Sequence, residues 1–335
     1  MFRSISVEDG LSNNFVTAIN QDSGGYVWFG TLDGLDRYDG LEIRSFANKF
    51  PSRPVKVNRI INDPEQGIWI GTDLGLFYWD FISEKFQEIQ LSDESIPVTT
   101  LLFLQGDSLL VTGTTKGLWL HNIRTSETTP IKLQDISSET IQVTDALLNE
   151  SDLWVTTTSG LLKVTLPGYE VETFRNEQSS LAYNNFSSLA AHNDTIFLGT
   201  QTRGLFIFEP SKQAFSTFTD IGNRSILVIK HDPAGNLYIG TDGGGLTIMD
   251  LKDYSYHTYR EEVGFPYSLN SNAVYSMHID RHGRFWIGTY SGGINYNTAH
   301  KGGFKVSVAE NDLFLGQSSI RSMYFDDNND KYIGT

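Results

Sequence analysis

Three asparagines and a run of cations are the residues of this sequence best suited to recognise a ligand. Asn14, Asn185 and Asn272 each stand just before a segment of alternating apolar and polar residues. A carboxamide both donates and accepts hydrogen bonds, so the three could line a sugar site. Each could equally cap its own loop through an Asx-type hydrogen bond. Residues 43–62 hold Arg44, Lys49, Arg53, Lys56 and Arg59 and no acid, in a chain of formal net charge −15. Such a stretch is either a solvated cationic loop or a subsite for the carboxylate or sulfate of an acidic sugar, which arginine can hold bidentately. Arg53 and Arg59 would be its centre, and Arg203 and Arg224 on later segments could add to it. Phe265 and Tyr267, in a long loop, could stack on a sugar face or simply pin that loop down. Tyr290, Asp33 and Arg37, in or beside a recurring turn, complete the candidate set.

Catalysis requires groups that converge, and these do not. The histidines (His121, His192, His231, His257, His278, His282 and His300) give no pair at metal-ligand spacing on one element. His231 and His278 fall near the ends of strands, where turn and surface roles are expected, on the rim opposite the candidate site. The acidic stretch Asp326-Asp327-Asn328-Asn329-Asp330 lacks the Gly and the Glu that a calcium loop needs at its sixth and twelfth positions. It is expected to be a hairpin turn. There is no Gly-x-Ser-x-Gly elbow and no Walker loop. No catalytic residue, metal or cofactor is expected.

What must position the candidates is a repeat. Trp28-Phe29-Gly30-Thr31-Leu32-Asp33-Gly34-Leu35 returns as WIGTDLGL from Trp69, YIGTDGGGL from Tyr238 and WIGTYSGGI from Trp286. Gly30, Gly71, Gly113, Thr156, Gly199, Gly240, Gly288 and Gly334 mark its copies, at intervals of 41, 42, 43, 43, 41, 48 and 46 residues. Each unit reads as four strands, A to D, with Asp/Gly-rich hairpin turns and no sustained helical period. Seven of the eight residues two places before the marker are aromatic, as a packing device between neighbouring sheets would be. The marker glycine would let two sheets crowd together. The turn glycine, as at Gly34, would supply a positive φ.

Four-stranded units of this length are the size of propeller blades. The expected fold is therefore all-β: a seven-bladed β-propeller of four-stranded antiparallel blades, spanning residues 1–335 as one domain. The repeats run at approximately 14–46, 57–89, 98–133, 141–174, 186–218, 225–259 and 273–308, with a partial repeat at 318–335. Residues 2–6 would be a strand closing the ring. The partial repeat would either join the closing blade or begin a second propeller. The D–A and B–C connections would share one rim around the central channel, so variable loops and candidate residues meet there. The acidic balance argues against nucleic acid. The absence of cysteine excludes disulfides and cysteine-ligated metals. No run of 18 apolar residues is present to span a bilayer. The chain starts without a signal peptide and stops inside a repeat, as expected for a piece of something longer.

Asp9-Gly10-Leu11-Ser12-x-Asn14, Gln21-Asp22-x-x-Gly25 and Trp28-x-Gly30-Thr31-x-x-Gly34-Leu35-x-Arg37-Tyr38-Asp39-Gly40 together resemble a regulator-propeller repeat. Such repeats build the periplasmic sensor of hybrid two-component histidine kinases. The resemblance covers essentially the whole chain, with degenerate copies at Val111-Thr112-Gly113-Thr114 and Val155-Thr156-Thr157-Thr158. It implies a non-catalytic periplasmic sensing domain whose usual cue is an oligosaccharide, regulating polysaccharide use. It also implies a second propeller and a β-sandwich in the same chain, a homodimer at full length, and a membrane reached only through segments not present here. Two alternatives come from other classes. One is a propeller lyase or hydrolase acting on a carbohydrate or lactone, and the other is a protein-interaction platform.

Overall fold

The computed structural model describes residues 2–64, 66–104, 108–132, 141–176, 183–222, 224–265, 267–297, 322–325 and 331–334. Residues 1–299 form one compact unit and residues 300–335 another. The first is a seven-bladed propeller of four-stranded antiparallel sheets. The described residues hold no α-helix, only short 3-10 turns such as Val7–Asp9 and Ala47–Lys49. In the second unit Ser322–Phe325 pairs antiparallel with Lys331–Gly334. The acidic turn at 326–330 and a fourth strand of the seventh repeat fall outside the described residues.

The A strands are innermost: Val16–Gln21, Val57–Asn62, Val98–Phe103, Val143–Asn149, Phe186–His192, Ile226–His231 and Val274–Ile279. Each packs against the next, and the last against the first, which closes the ring. In the seventh blade Phe2–Ile5 is the outermost strand, antiparallel to Ile294–Asn297 in the register Phe2↔Asn297 to Ile5↔Ile294. The two chain ends of the ring are thus hydrogen-bonded within one sheet, which ties the first and last parts of the ring together.

Each A strand carries a bulge after its first residue. Bulges re-aim a side chain, and in the first, second, fourth and fifth blades the extra side chain reaches to the neighbouring blade. Asn58 Nδ2 donates to the Val98 carbonyl at 2.8 Å, Thr144 Oγ1 to Phe186 at 2.7 Å and Ser187 Oγ to Ile226 at 2.6 Å. Thr17 makes the same bond to Val57. The seventh blade reaches the first through Ser276 Oγ, one residue further on, which donates to Val16 at 3.1 Å.

The repeated motif pairs its recurring polar atoms. The B strands Val27–Thr31 and Gly67–Thr72 are buried throughout, covered on both faces by adjacent blades. Trp28, Trp69 and Trp286 donate from Nε1 to Asp22, Asp63 and Asp280 at 2.7, 2.7 and 3.0 Å, so the A–B turn acid satisfies the one polar atom of each buried ring. Tyr238 does the same to Asp232 through its hydroxyl, at 2.8 Å. The motif threonine is buried in all seven blades and donates to the turn carbonyl, as Thr31 does to Gly34 at 3.1 Å. A Cβ on Gly30 would lie 2.6 Å from Val57 Cγ1, so glycine is required there by the next blade.

Candidate functional site

The B–C turns and the D–A loops do meet on one rim, and the best-formed feature there is aromatic. Phe15 precedes the first A strand, Tyr275 is the bulge residue of the seventh, and Tyr290 lies in the seventh B–C turn. Their rings cluster, with centroids 4.6 Å (Phe15–Tyr275), 4.8 Å (Phe15–Tyr290) and 5.9 Å (Tyr275–Tyr290) apart. Tyr290 is 55% exposed, an unusual state for a ring that already has two aromatic neighbours. Lys56 Nζ stands 5.8 Å from the Phe15 centroid. Burial lowers the Lys56 pKa, opposed by Asp73, and burial with Asp242 raises that of Tyr275. The shelf therefore combines ring faces, a tyrosine hydroxyl that stays protonated and an ammonium, a set suited to a polar ligand with apolar faces.

A second polar region lies inside the ring. A cavity of about 370 Å³ is lined by residues that include Arg59, Lys230, His231, Tyr275 and His278. Arg59 Nη2 meets Asp145 Oδ1 at 2.9 Å, bridging the second and fourth blades, and Thr100 Oγ1 donates to the same oxygen at 3.1 Å. His192 Nδ1 and His231 Nε2 are 2.9 Å apart, so one ring donates to the other. His231 and His278 thus line the channel rather than decorate a surface turn, which corrects the expectation from sequence. They follow an A strand to its end, and the A strands form the channel wall. Burial, then the Lys230 ammonium, hold His278 down to about 4 despite Asp280, so its ring is neutral at pH 7. The Arg59 guanidinium, then burial, push Lys230 down to about 8 against the pull of Asp145.

That shift has a consequence for stability. Lysine in the unfolded chain titrates near 10.5, so the folded state disfavours the charged form at every pH below about 8. The handicap fades as pH rises from about 8 to 10.5, because only the unfolded chain then binds the proton. Lys230→Met is expected to stabilise the propeller at pH 7 by up to about 3 kcal/mol. The gain should shrink towards pH 10 when followed by thermal melts in low-salt buffer. An equal effect at both pH values would show that packing, not charge, is responsible.

The other candidates are dispersed. Asn14 Oδ1 accepts from Val7 N at 2.9 Å and Asn272 Oδ1 from Glu261 N at 2.9 Å, so both cap loops. Asn185 Oδ1 is buried without a hydrogen-bond partner among the described residues. Arg53 is held on the rim by Asp33 at 2.7 Å, whereas Arg59 faces the channel, so the cations of residues 43–62 do not converge on one subsite. Arg37 stacks over Tyr26 at 4.3 Å, with Trp28 and Phe46 beside it. Arg203 is exposed on its turn, and Arg224 Nη1 reaches the Gly243 carbonyl at 3.4 Å. Phe265 is 53% exposed, while the Tyr267 carbonyl accepts from Phe2 N at 2.9 Å and ties the loop to the closing strand. Of the sequence candidates Tyr290 joins the shelf, with Lys56 of the cationic run beside it. Phe15 and Tyr275 were missed, although aligning the repeats exposes Tyr275: its counterparts are Thr17, Asn58, Thr99, Thr144, Ser187 and Leu227. Among the described residues no group of three or more His, Asp or Glu side chains is placed to hold a metal.

Comparison with known proteins agrees with this architecture. Residues 10–33 and 268–291 match the two component regulator propeller family. Histidine kinase P4 of Formosa agariphila is 27% identical, over 92% of this chain and 24% of that protein. The extracellular domain of a protein described as a hybrid two component system, from B. thetaiotaomicron, superposes with a TM-score of 0.77 at 25% identity, over 100% of this chain and 47% of that one. Streptogramin B lyase superposes at 0.70 over 88% of this chain and 96% of that one, but at 13% identity the likeness is of fold alone. The chain thus spans about a quarter of the kinase and under half of the extracellular domain. No described helix is long and apolar enough to cross a membrane.

Proposed function

We propose that this chain, a ring of two component regulator propeller repeats, is the ligand-recognising part of a periplasmic sensor, and that its ligand is an oligosaccharide. The observation that carries this reading is the half-open shelf of Phe15, Tyr275 and Tyr290 beside Lys56. A sugar ring has apolar C–H faces and a hydroxyl rim, and the shelf offers flat rings with donors at their edge. Similarity to an extracellular domain and to a histidine kinase supports a sensing role over a catalytic one. In the full-length protein, ligand binding would favour one of two arrangements of paired ectodomains through its differential affinity for them. A second propeller, a β-sandwich and a membrane segment would relay the change.

The reading is tested by calorimetric titration of neutral and acidic oligosaccharides. Tyr290→Ala should weaken binding of the responding sugar roughly tenfold, the worth of one stacked ring. Leu41→Ala, at a 91% exposed position, should leave it unchanged. Equal affinity in wild type and Tyr290→Ala would remove the shelf from consideration.

A further inference from the structure

The channel holds one cation more than its own acids can answer. Asp145 is the one carboxylate among the described residues lining the channel cavities, and its Oδ1 is already engaged by Arg59 and Thr100. Lys230 lines the same cavities, and its ammonium makes no hydrogen bond or ion pair among the described residues. Asp145 acts on this amine only through space, so the Lys230 ammonium faces the cavity with no acid hydrogen-bonded to it and an anion entering the channel can supply that partner. The remaining polar neighbours are suited to an anion. Neutral His278 and Tyr275 each present one donor, and only one Arg59 nitrogen, Nη2, is bound to Asp145. Guanidinium and ammonium groups facing one cavity are the usual means of holding an oxyanion.

We propose that the central channel is an oxyanion site, in which a sulfate, phosphate or carboxylate group binds between Lys230 and the free edge of Arg59, with His278 as an additional donor. The group can arrive as a free ion or as the acidic substituent of a larger ligand. Tyr275 belongs to both the cavity and the aromatic shelf, so a sugar seated on the rim could extend such a group inward. The site itself does not depend on the shelf binding a sugar.

Sodium sulfate, potassium phosphate and a sulfated monosaccharide are titrated calorimetrically into the full chain at pH 8 and low ionic strength. Buffers of different ionisation enthalpy report proton exchange. Binding should take up part of a proton, because the anion draws Lys230 toward its charged form. His278 is held down to about 4, and burial lowers the His231 pKa, so neither imidazole takes up the proton at pH 8. Lys230→Met should lose the proton uptake and weaken binding at least tenfold, while melts confirm that it is folded. Arg59→Lys, which keeps the charge but not the fork, should weaken binding and retain the uptake. If the group is carried by a rim-bound sugar, Tyr290→Ala will weaken the sulfated monosaccharide and leave inorganic sulfate untouched. If the free ion is the ligand, Tyr290→Ala will alter neither. Sulfate heats that match sodium chloride at equal ionic strength, or that persist in Lys230→Met, would overturn the site.

Discussion

Removing residues 1–6 is expected to open the ring. Phe2–Ile5 is the outer strand of the seventh blade, and without it Ile294–Asn297 becomes an unpaired sheet edge. The deletion also removes Phe2 and Ile5, both buried, and the bond from Phe2 N to the Tyr267 carbonyl. Two buried apolar side chains contribute about 1.5–3 kcal/mol each, before any loss of strand hydrogen bonds. The melting temperature should fall by on the order of 10 °C or more. The exposed edge should also promote self-association, visible by light scattering. The double variant Phe2→Ala/Ile5→Ala isolates the packing part: it keeps the backbone ladder, and should melt lower without associating. A truncated chain that melts like the intact one would mean that another segment can take the outer position.

Gly288→Val should be nearly as damaging although Gly288 has no side chain to offer either candidate site. A Cβ there would overlap Ser276 Oγ and lie 2.7 Å from the Val16 carbonyl and 2.8 Å from Val16 Cγ1. It would therefore push apart the first and seventh blades where Ser276 holds Val16. Overpacking costs about 1–3 kcal/mol, and the lost hydrogen bond adds about 1 kcal/mol. Gly40→Ala is the informative contrast. Its φ is +106° with nothing within 4 Å of the added carbon, so the penalty there is backbone conformation alone. Chemical denaturation should place Gly288→Val well below Gly40→Ala. The reverse order would show that turn conformation, rather than blade contact, constrains these glycines.

These two effects were legible in the chain to different degrees. The marker glycines, the aromatic two places before them and the spacing of 41–48 residues already required stacked four-stranded units. They did so because each blade must solve the same packing problem against its neighbour, so the same residue types recur. The threonine of the motif was visible as a repeat, but its hydrogen bond to the turn carbonyl was not. That bond depends on how the B–C turn closes.

The candidate site was less legible, since a ligand imposes no period. Asn14, Asn185 and Asn272 stood out because they recur, yet recurrence is itself a mark of scaffold, and Asn14 and Asn272 cap loops. Arg53 and Arg59 are six residues apart in sequence, but a loop ends and an inner strand begins between them, which sends one to the rim and the other into the channel. Arg59 and Asp145, 86 residues apart, are brought to 2.9 Å by the circular arrangement of the inner strands. His192 and His231 meet in the same way, 39 residues apart. The sequence by itself determined the blade, its closing glycines and its buried rings, because those are local and repeated. Only the tertiary structure decided which unrepeated side chains face one another. Closing seven blades into a ring joins residues that are far apart in the chain, and no periodicity records which of them will meet.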